Sequence, residues 1–213
     1  MSCIDAGGGG CVKEQMPDSG FDSLEDLVNI FKKRYSLDND GSIRYSYNAY
    51  KENGITGLIE AAVLSKYLHS DTEFLHPHQR RIGYKVLEQF YVEKISRIDP
   101  VYFTGAKSFD EIYNIIWKEA CQSERIGQLA TYDIALRIGY CLGKYPDKVY
   151  LHQGAKEGAR LLLKWEGKRL TGRFMRKEEF PEALQQLECH DIEVFLCVSK
   201  KDIDKLYGQI TPN

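Results

Sequence analysis

The chain has 213 residues, 43% of them hydrophobic and 28% charged, with a formal net charge of −2, which is enough sequence to bury a core as one domain. The near-neutral balance gives no overall pull toward nucleic acid or acidic membranes, and no run reaches the roughly 18 apolar residues of a membrane span. The six cysteines lack metal-type spacing, four of them fall in apolar helical patterns, and the start has no signal-peptide pattern; together these predict a reduced, cytoplasmic protein.

Residues 1–20 are Gly-rich and polar and predict a flexible tail, with residues 21–213 forming one domain. Ser23 with Asp26 resembles a capping box and opens a helix that carries Leu27, Ile30 and Phe31 inward. The helix should end near Asp38 to Gly41, a strong turn signal. Ser36, Asp38, Asp40, Gly41 and Ile43 fall at calcium-loop offsets 1, 3, 5, 6 and 8, but offset 12 is Tyr47 where a bidentate Glu is needed. A plain Asx-turn is therefore expected. A tyrosine-rich segment from Ser42 to Glu52 follows.

Thr56 is read as the cap of a helix carrying Leu58, Ile59, Ala62, Val63 and Tyr67 on one face. Pro77 suits the first turn of a long helix running to Arg97, and Pro100 is read as a stop. Ser108 with Glu111 forms a second capping box, opening a helix that buries Ile112, Ile115, Ile116 and Trp117. Ile126 to Gly143 reads as a helix ended by glycine, and Gln153 to Leu163 as one whose Gly154, Ala155, Gly158 and Ala159 invite close packing. Val149 to Leu151 is too short to assign, and Trp165 to Lys177 reads as a loop or short hairpin. Pro181 opens a penultimate helix and His190 to Ser199 follows it. With no period-2 run long enough for a sheet, the expected fold is all-α, one domain of roughly eight to ten helices.

Charge is uneven along the chain. Lys156 to Lys177 holds eight Lys or Arg against two Glu, whereas Glu178 to Asp204 holds eight acids against two lysines. Such segments face each other or different partners.

Candidate chemistry concentrates between Arg125 and Leu163. Asp133 and Arg137 stand four apart and share a helix face among apolar neighbours, so they must be paired or hydrogen-bonded. They are read either as an internal ion pair fixing the packing or as a site, with Asp133 the base and Arg137 the holder of an anion. His152 sits at a helix start, as a cap or as an acid/base group beside helix amides. Tyr132 and Tyr150 offer phenols nearby, and His78 and Arg81 form a polar helix start able to meet an anion. His69, His76 and His78 lack a Cys or acidic partner at ligand spacing, so no metal is expected. No phosphate loop, dinucleotide fingerprint or nucleophile elbow occurs, and no cofactor is expected.

Two resemblances attach to these residues. Thr131 to Gly139 (TYDIALRIG), Val149 to Gly154 (VYLHQG) and Gly158 to Arg160, with His78 to Arg81 and Ile192 to Cys197 as further echoes, resemble a group of uncharacterised bacterial proteins. Ile126-Gly127, Thr131, Gly143 and Pro146 follow the order of the helix-hairpin-helix half of base-excision DNA glycosylases. That family's hairpin lysine has no counterpart here and Asp147 follows directly on Pro146, so its catalytic roles are not carried onto Asp147 or His152.

Three functions of different classes follow as expectations. The first is binding of a small anionic or nucleotide-like ligand by Asp133, Arg137 and His152, with or without acid/base chemistry, so enzymatic activity stays open. The second, implied by the glycosylase resemblance and the Lys156–Lys177 stretch, is nucleic-acid binding. The third is a protein–protein adaptor that uses the opposed charged segments.

Overall fold

A computed structural model of the chain describes residues 20–35, 53–69, 72–75 and 81–210. Residues 1–19 of the expected tail, the Asp38–Gly41 turn with its calcium reading, the tyrosine-rich segment, His76 and His78 lie outside the described residues.

Local chemistry sets many of the helix boundaries. Helix α1 (Leu24–Tyr35) is opened as expected: Asp26 N–H donates to Ser23 Oγ at 3.1 Å, and the Asp26 carboxylate accepts from Asp22 N–H at 3.2 Å. Leu27, Val28 and Phe31 are buried and Ile30 is half-buried. Helix α2 (Gly54–Val63) begins before Thr56, with Asn53 at its cap. Tyr67 does not continue this helix. Ser65, at a φ of +56°, turns the chain into β1 (Lys66–His69), which pairs antiparallel with β2 (Thr72–Leu75) and sets Lys66 opposite Leu75.

Helix α3 (Tyr84–Glu93) is shorter at both ends than the expected run from Pro77 to Arg97. Gly83, at φ +88°, holds a conformation open mainly to glycine and restarts the chain there. Beyond Glu93 the chain tightens into a 3-10 turn over Ile95–Arg97. Pro100 starts a structure instead of stopping one: it precedes the single-turn α4 (Val101–Thr104), where its fixed φ suits a first turn.

Ser108 caps α5 (Phe109–Ala120) as expected, its Oγ accepting from Glu111 N–H at 3.3 Å, while Glu111 Oε2 accepts from Lys107 N–H at 2.8 Å, one residue before the cap. Ile112 and Ile116 are buried, whereas Ile115 and Trp117 are only half-buried. Helix α6 (Gln128–Leu142) runs between the predicted glycines, and Gly143 closes it in the left-handed region at φ +67°.

After α6, β3 (Val149–Tyr150) pairs antiparallel with β4 (Phe174–Met175), and Leu151 N–H extends the ladder to the Arg173 carbonyl at 2.8 Å. Between them lies α7 (Gln153–Trp165). A 3-10 turn over Lys177–Glu179 and the one-turn α8 (Glu182–Gln185) lead to α9 (Cys189–Val198) and α10 (Lys200–Ile210). The sequence reading had no separate helix for α10. Of the described cysteines, Cys141 and Cys189 are buried and Cys197 is half-buried. Cys121, expected within an apolar pattern, is exposed just past α5.

The protein is all-α, one helical domain with ten α-helices among the described residues, and the two short ladders are its departure from the expected absence of strands. The interior forms two clusters. One gathers Leu58, Leu87, Phe103, Phe109, Ile112, Ile116, Ile134 and Ile138 from α2 to α6. The other joins Leu27 and Phe31 of α1 to Leu162, Phe195, Leu196, Ile203 and Leu206 of α7, α9 and α10. Strand β3 lies at the seam, because alternate residues of a strand face opposite ways: Val149 and Leu151 belong to the second cluster and Tyr150 to the first.

Candidate functional site

The sequence-predicted residues divide among three places. Arg137 is 5% exposed and reaches the end of α2, where its Nη1 donates to the Ala62 carbonyl at 3.2 Å and to Ser65 Oγ at 2.9 Å. It satisfies one of the carbonyls that a helix C-terminus leaves without an intrahelical partner. Asp133, one turn earlier on α6, is half-buried. Arg81 is exposed in the turn before Gly83, and His78 lies outside the described residues.

Tyr132, Tyr150 and His152 do come together, at the seam. The ring centroids of Tyr132 and His152 are 4.7 Å apart, those of Tyr132 and Tyr150 5.2 Å, and those of Tyr150 and His152 6.4 Å. His152 is 7% exposed and occupies the cap position of α7, yet its side chain makes no cap bond. Burial pushes its imidazole down to about 4, so it is neutral at pH 7. The Tyr132 phenol is held well above its usual range, first by burial and then by Glu193 and other neighbours including Asp133. Tyr132 Oη and His152 Nε2 are both buried and have no hydrogen-bond partner among the described residues. Such groups carry the full cost of desolvation.

Tyr150 is treated differently. Its hydroxyl donates to Asp110 Oδ1, and Lys148 Nζ donates to Oδ2 of the same carboxylate. Burial, followed by the bond to Asp110, raises the phenol. Asp110 and Lys148 therefore clamp β3 onto α5. The sequence reading missed both residues: Asp110 looks like an ordinary acid in a first helical turn, and nothing local links it to Lys148.

The third place is the basic stretch. Two clefts, of about 410 Å³ and 450 Å³, share Lys168, Arg169 and Leu170. Arg160 and Lys164 line one, while Thr171, Gly172, Phe174 and Glu179 help line the other. Lys168 is paired with Glu166 at 2.8 Å, and Glu179 turns its carboxylate to its own cap, accepting from Arg176 N–H at 2.6 Å. Lys164, Arg169 and Arg173 have no carboxylate partner among the described residues. Phe174 stands 54% exposed, with Lys148 Nζ 4.6 Å from its ring centre. The charge surplus of this segment was visible in the sequence; its concavity and its exposed ring were not.

Among the described residues no group of three His, Cys, Asp or Glu side chains is placed to hold a metal ion, and no helix is long and apolar enough to cross a membrane. In comparisons with known proteins, no family model, no curated protein and no solved structure matches this chain.

Proposed function

We propose that the protein binds phosphate-bearing polyanions, nucleic acid first among them, in the basic clefts around Lys168–Leu170. One observation carries the reading: two concave surfaces share Lys168 and Arg169, one of them has Arg160 and Lys164 on its wall as well, and they meet little opposing carboxylate. Guanidinium groups without ion-pair partners match phosphate geometry and remain available to it. The net charge of −2 does not oppose this, because the positive charge is concentrated on one segment.

Binding of this kind releases counterions. With about three phosphate contacts, affinity for a labelled oligonucleotide should fall roughly thirty-fold between 50 and 200 mM salt. Reversing Lys164, Arg169 and Arg173 to Glu should abolish binding and leave the unfolding transition in place. Affinity that stays flat across salt, or survives the triple reversal, rules the reading out.

A second reading, a small ligand taken up at the seam by Tyr132 and His152, is favoured by the Tyr132 hydroxyl and His152 Nε2, which have no hydrogen-bond partner among the described residues. Arg137, engaged with Ala62 and Ser65, takes no part in it. Thermal-shift screening tests it: a metabolite must stabilise the wild type and not a His152→Leu variant.

A further inference from the structure

The cleft does not end at its cationic rim. Phe174 helps line the 410 Å³ cleft and is more than half exposed. From Phe174 a run of rings leads across the seam. Lys148 Nζ lies 4.6 Å from the Phe174 ring centre and 5.6 Å from that of Tyr150. Tyr150 lies 5.1 Å from Tyr113, and Tyr113 stacks on Trp117 at 6.2 Å with the planes 14° apart. Tyr113 and Trp117 project from α5 half-exposed. Arg173 lies near enough to Tyr113 to act electrostatically on its phenol.

These groups are arranged for flat ligands that carry negative charge. Duplex DNA presents phosphates to a surface and keeps its base faces stacked inside. A single strand presents both, and its bases stack readily on aromatic rings set beside cations. The Phe174 ring is large, apolar and more than half exposed, so part of it is open to a stacked base. Lys148 cannot supply the charge, because Asp110 neutralises it. Arg169 and Arg173 can.

We propose that the cleft and the adjoining rings form one site for single-stranded nucleic acid, with bases stacking on Phe174, Tyr113 and Trp117 and backbone phosphates meeting Lys164, Arg169 and Arg173. This inference rests on the polyanion reading of the cleft and adds the class of strand to it.

The test uses the full chain and three probes: a labelled twenty-nucleotide oligothymidylate, the same strand annealed to its complement, and heparin as a polyanion without bases. Fluorescence anisotropy should show the single strand binding at least ten-fold more tightly than the duplex at equal salt. Phe174→Ala, at an exposed position, should weaken the single strand roughly ten-fold and leave heparin unchanged. Tryptophan emission should be quenched by oligothymidylate, and the quenching should shrink in Trp117→Phe. Equal or tighter duplex binding, or a Phe174→Ala variant that loses strand and heparin alike, overturns the stacking inference and leaves the polyanion reading standing. Failure of all three probes to bind overturns both.

Discussion

The core between α2 and α6 contains a guanidinium and satisfies it. Arg137 Nη1 donates to a helix-end carbonyl and to the Ser65 hydroxyl, 75 and 72 positions away in sequence. The core around α7, α9 and α10 is built on close backbone approach instead. Ala155 and Ala159 are fully buried on α7, and a Cβ added to Gly158 would lie 2.1 Å from the Leu196 carbonyl oxygen on α9. Along the seam, β3 gives alternate residues to each core, and here two polar atoms are left without partners among the described residues. The difference teaches where change is tolerated. The first core engages its buried guanidinium in hydrogen bonds and the second depends on contact distance, while the seam places an unsatisfied phenol against an unsatisfied imidazole.

The largest expected effect breaks the second core. Gly158→Ala forces α7 away from α9, because the obstructing atom is backbone and cannot rotate aside. Overpacking of this kind costs about 3 kcal/mol or somewhat more, read as a lowered midpoint in urea unfolding. A similar substitution at exposed Gly127, where an added Cβ would meet nothing within 4 Å, should cost far less. Equal costs at the two positions would mean that the α7–α9 contact does not limit stability.

Next in size is the pH dependence set at the seam. His152 titrates near 4 when folded, against an ordinary value of 6.5, because burial disfavours the charged ring. Between those values the unfolded chain binds more protons than the folded one, so stability rises with pH across the window and is lost as pH falls through it. Near pH 4.5 the loss attributable to this residue is about 2.5 kcal/mol, at 1.36 kcal/mol per unit. In His152→Leu the fall in unfolding free energy between pH 6.5 and 4.5 should shrink by about 2 kcal/mol, which separates His152 from the carboxylates that titrate in both proteins. Parallel slopes would show that the imidazole is solvated.

How far the sequence anticipates this molecule depends on the range of the interaction involved. Helices bounded by local chemistry are legible: Ser23 with Asp26, Ser108 with Glu111, and the span between Gly127 and Gly143 all form as expected. The small residues of α7 announce their packing for the same reason, since a glycine on a helix face needs a close neighbour. Strands of two residues are not legible, because Val149 and Tyr150 gain their strand character only from Met175 and Phe174, across a helix and a loop. Helix α10 is missed because its buried residues are few, Ile203 and Leu206 among charged neighbours. At the candidate sites, composition reveals the basic stretch, and the sequence offers Tyr132 and Tyr150 as phenols near His152. It centres the pocket on Asp133, Arg137 and His152, however, whereas Arg137 turns to Ala62 and Ser65. It does not reveal Arg137's partner Ser65 or the Asp110–Lys148 clamp, since neither has any local signature.

The smallest effect bears most directly on the seam. Tyr132 is 2% exposed and its ring is well used, edge-on to Phe109 at 5.6 Å and tilted against His152 at 4.7 Å. Its hydroxyl is the part that nothing among the described residues satisfies. Removing a buried hydroxyl normally costs about 1 kcal/mol because a hydrogen bond goes with it, whereas deleting one that lacks a partner removes a desolvation penalty. Tyr132→Phe keeps the ring and should therefore leave stability unchanged or raise it by up to about 1 kcal/mol, as read from the urea midpoint. The Tyr150→Phe variant makes the contrast, since it removes a formed hydrogen bond to Asp110 Oδ1 and leaves that carboxylate to Lys148 alone, so it should lose stability. If Tyr132→Phe is destabilising by 1 kcal/mol or more, the hydroxyl has a polar partner in solution that the described residues do not supply. The seam would then no longer be an unsatisfied boundary between two cores.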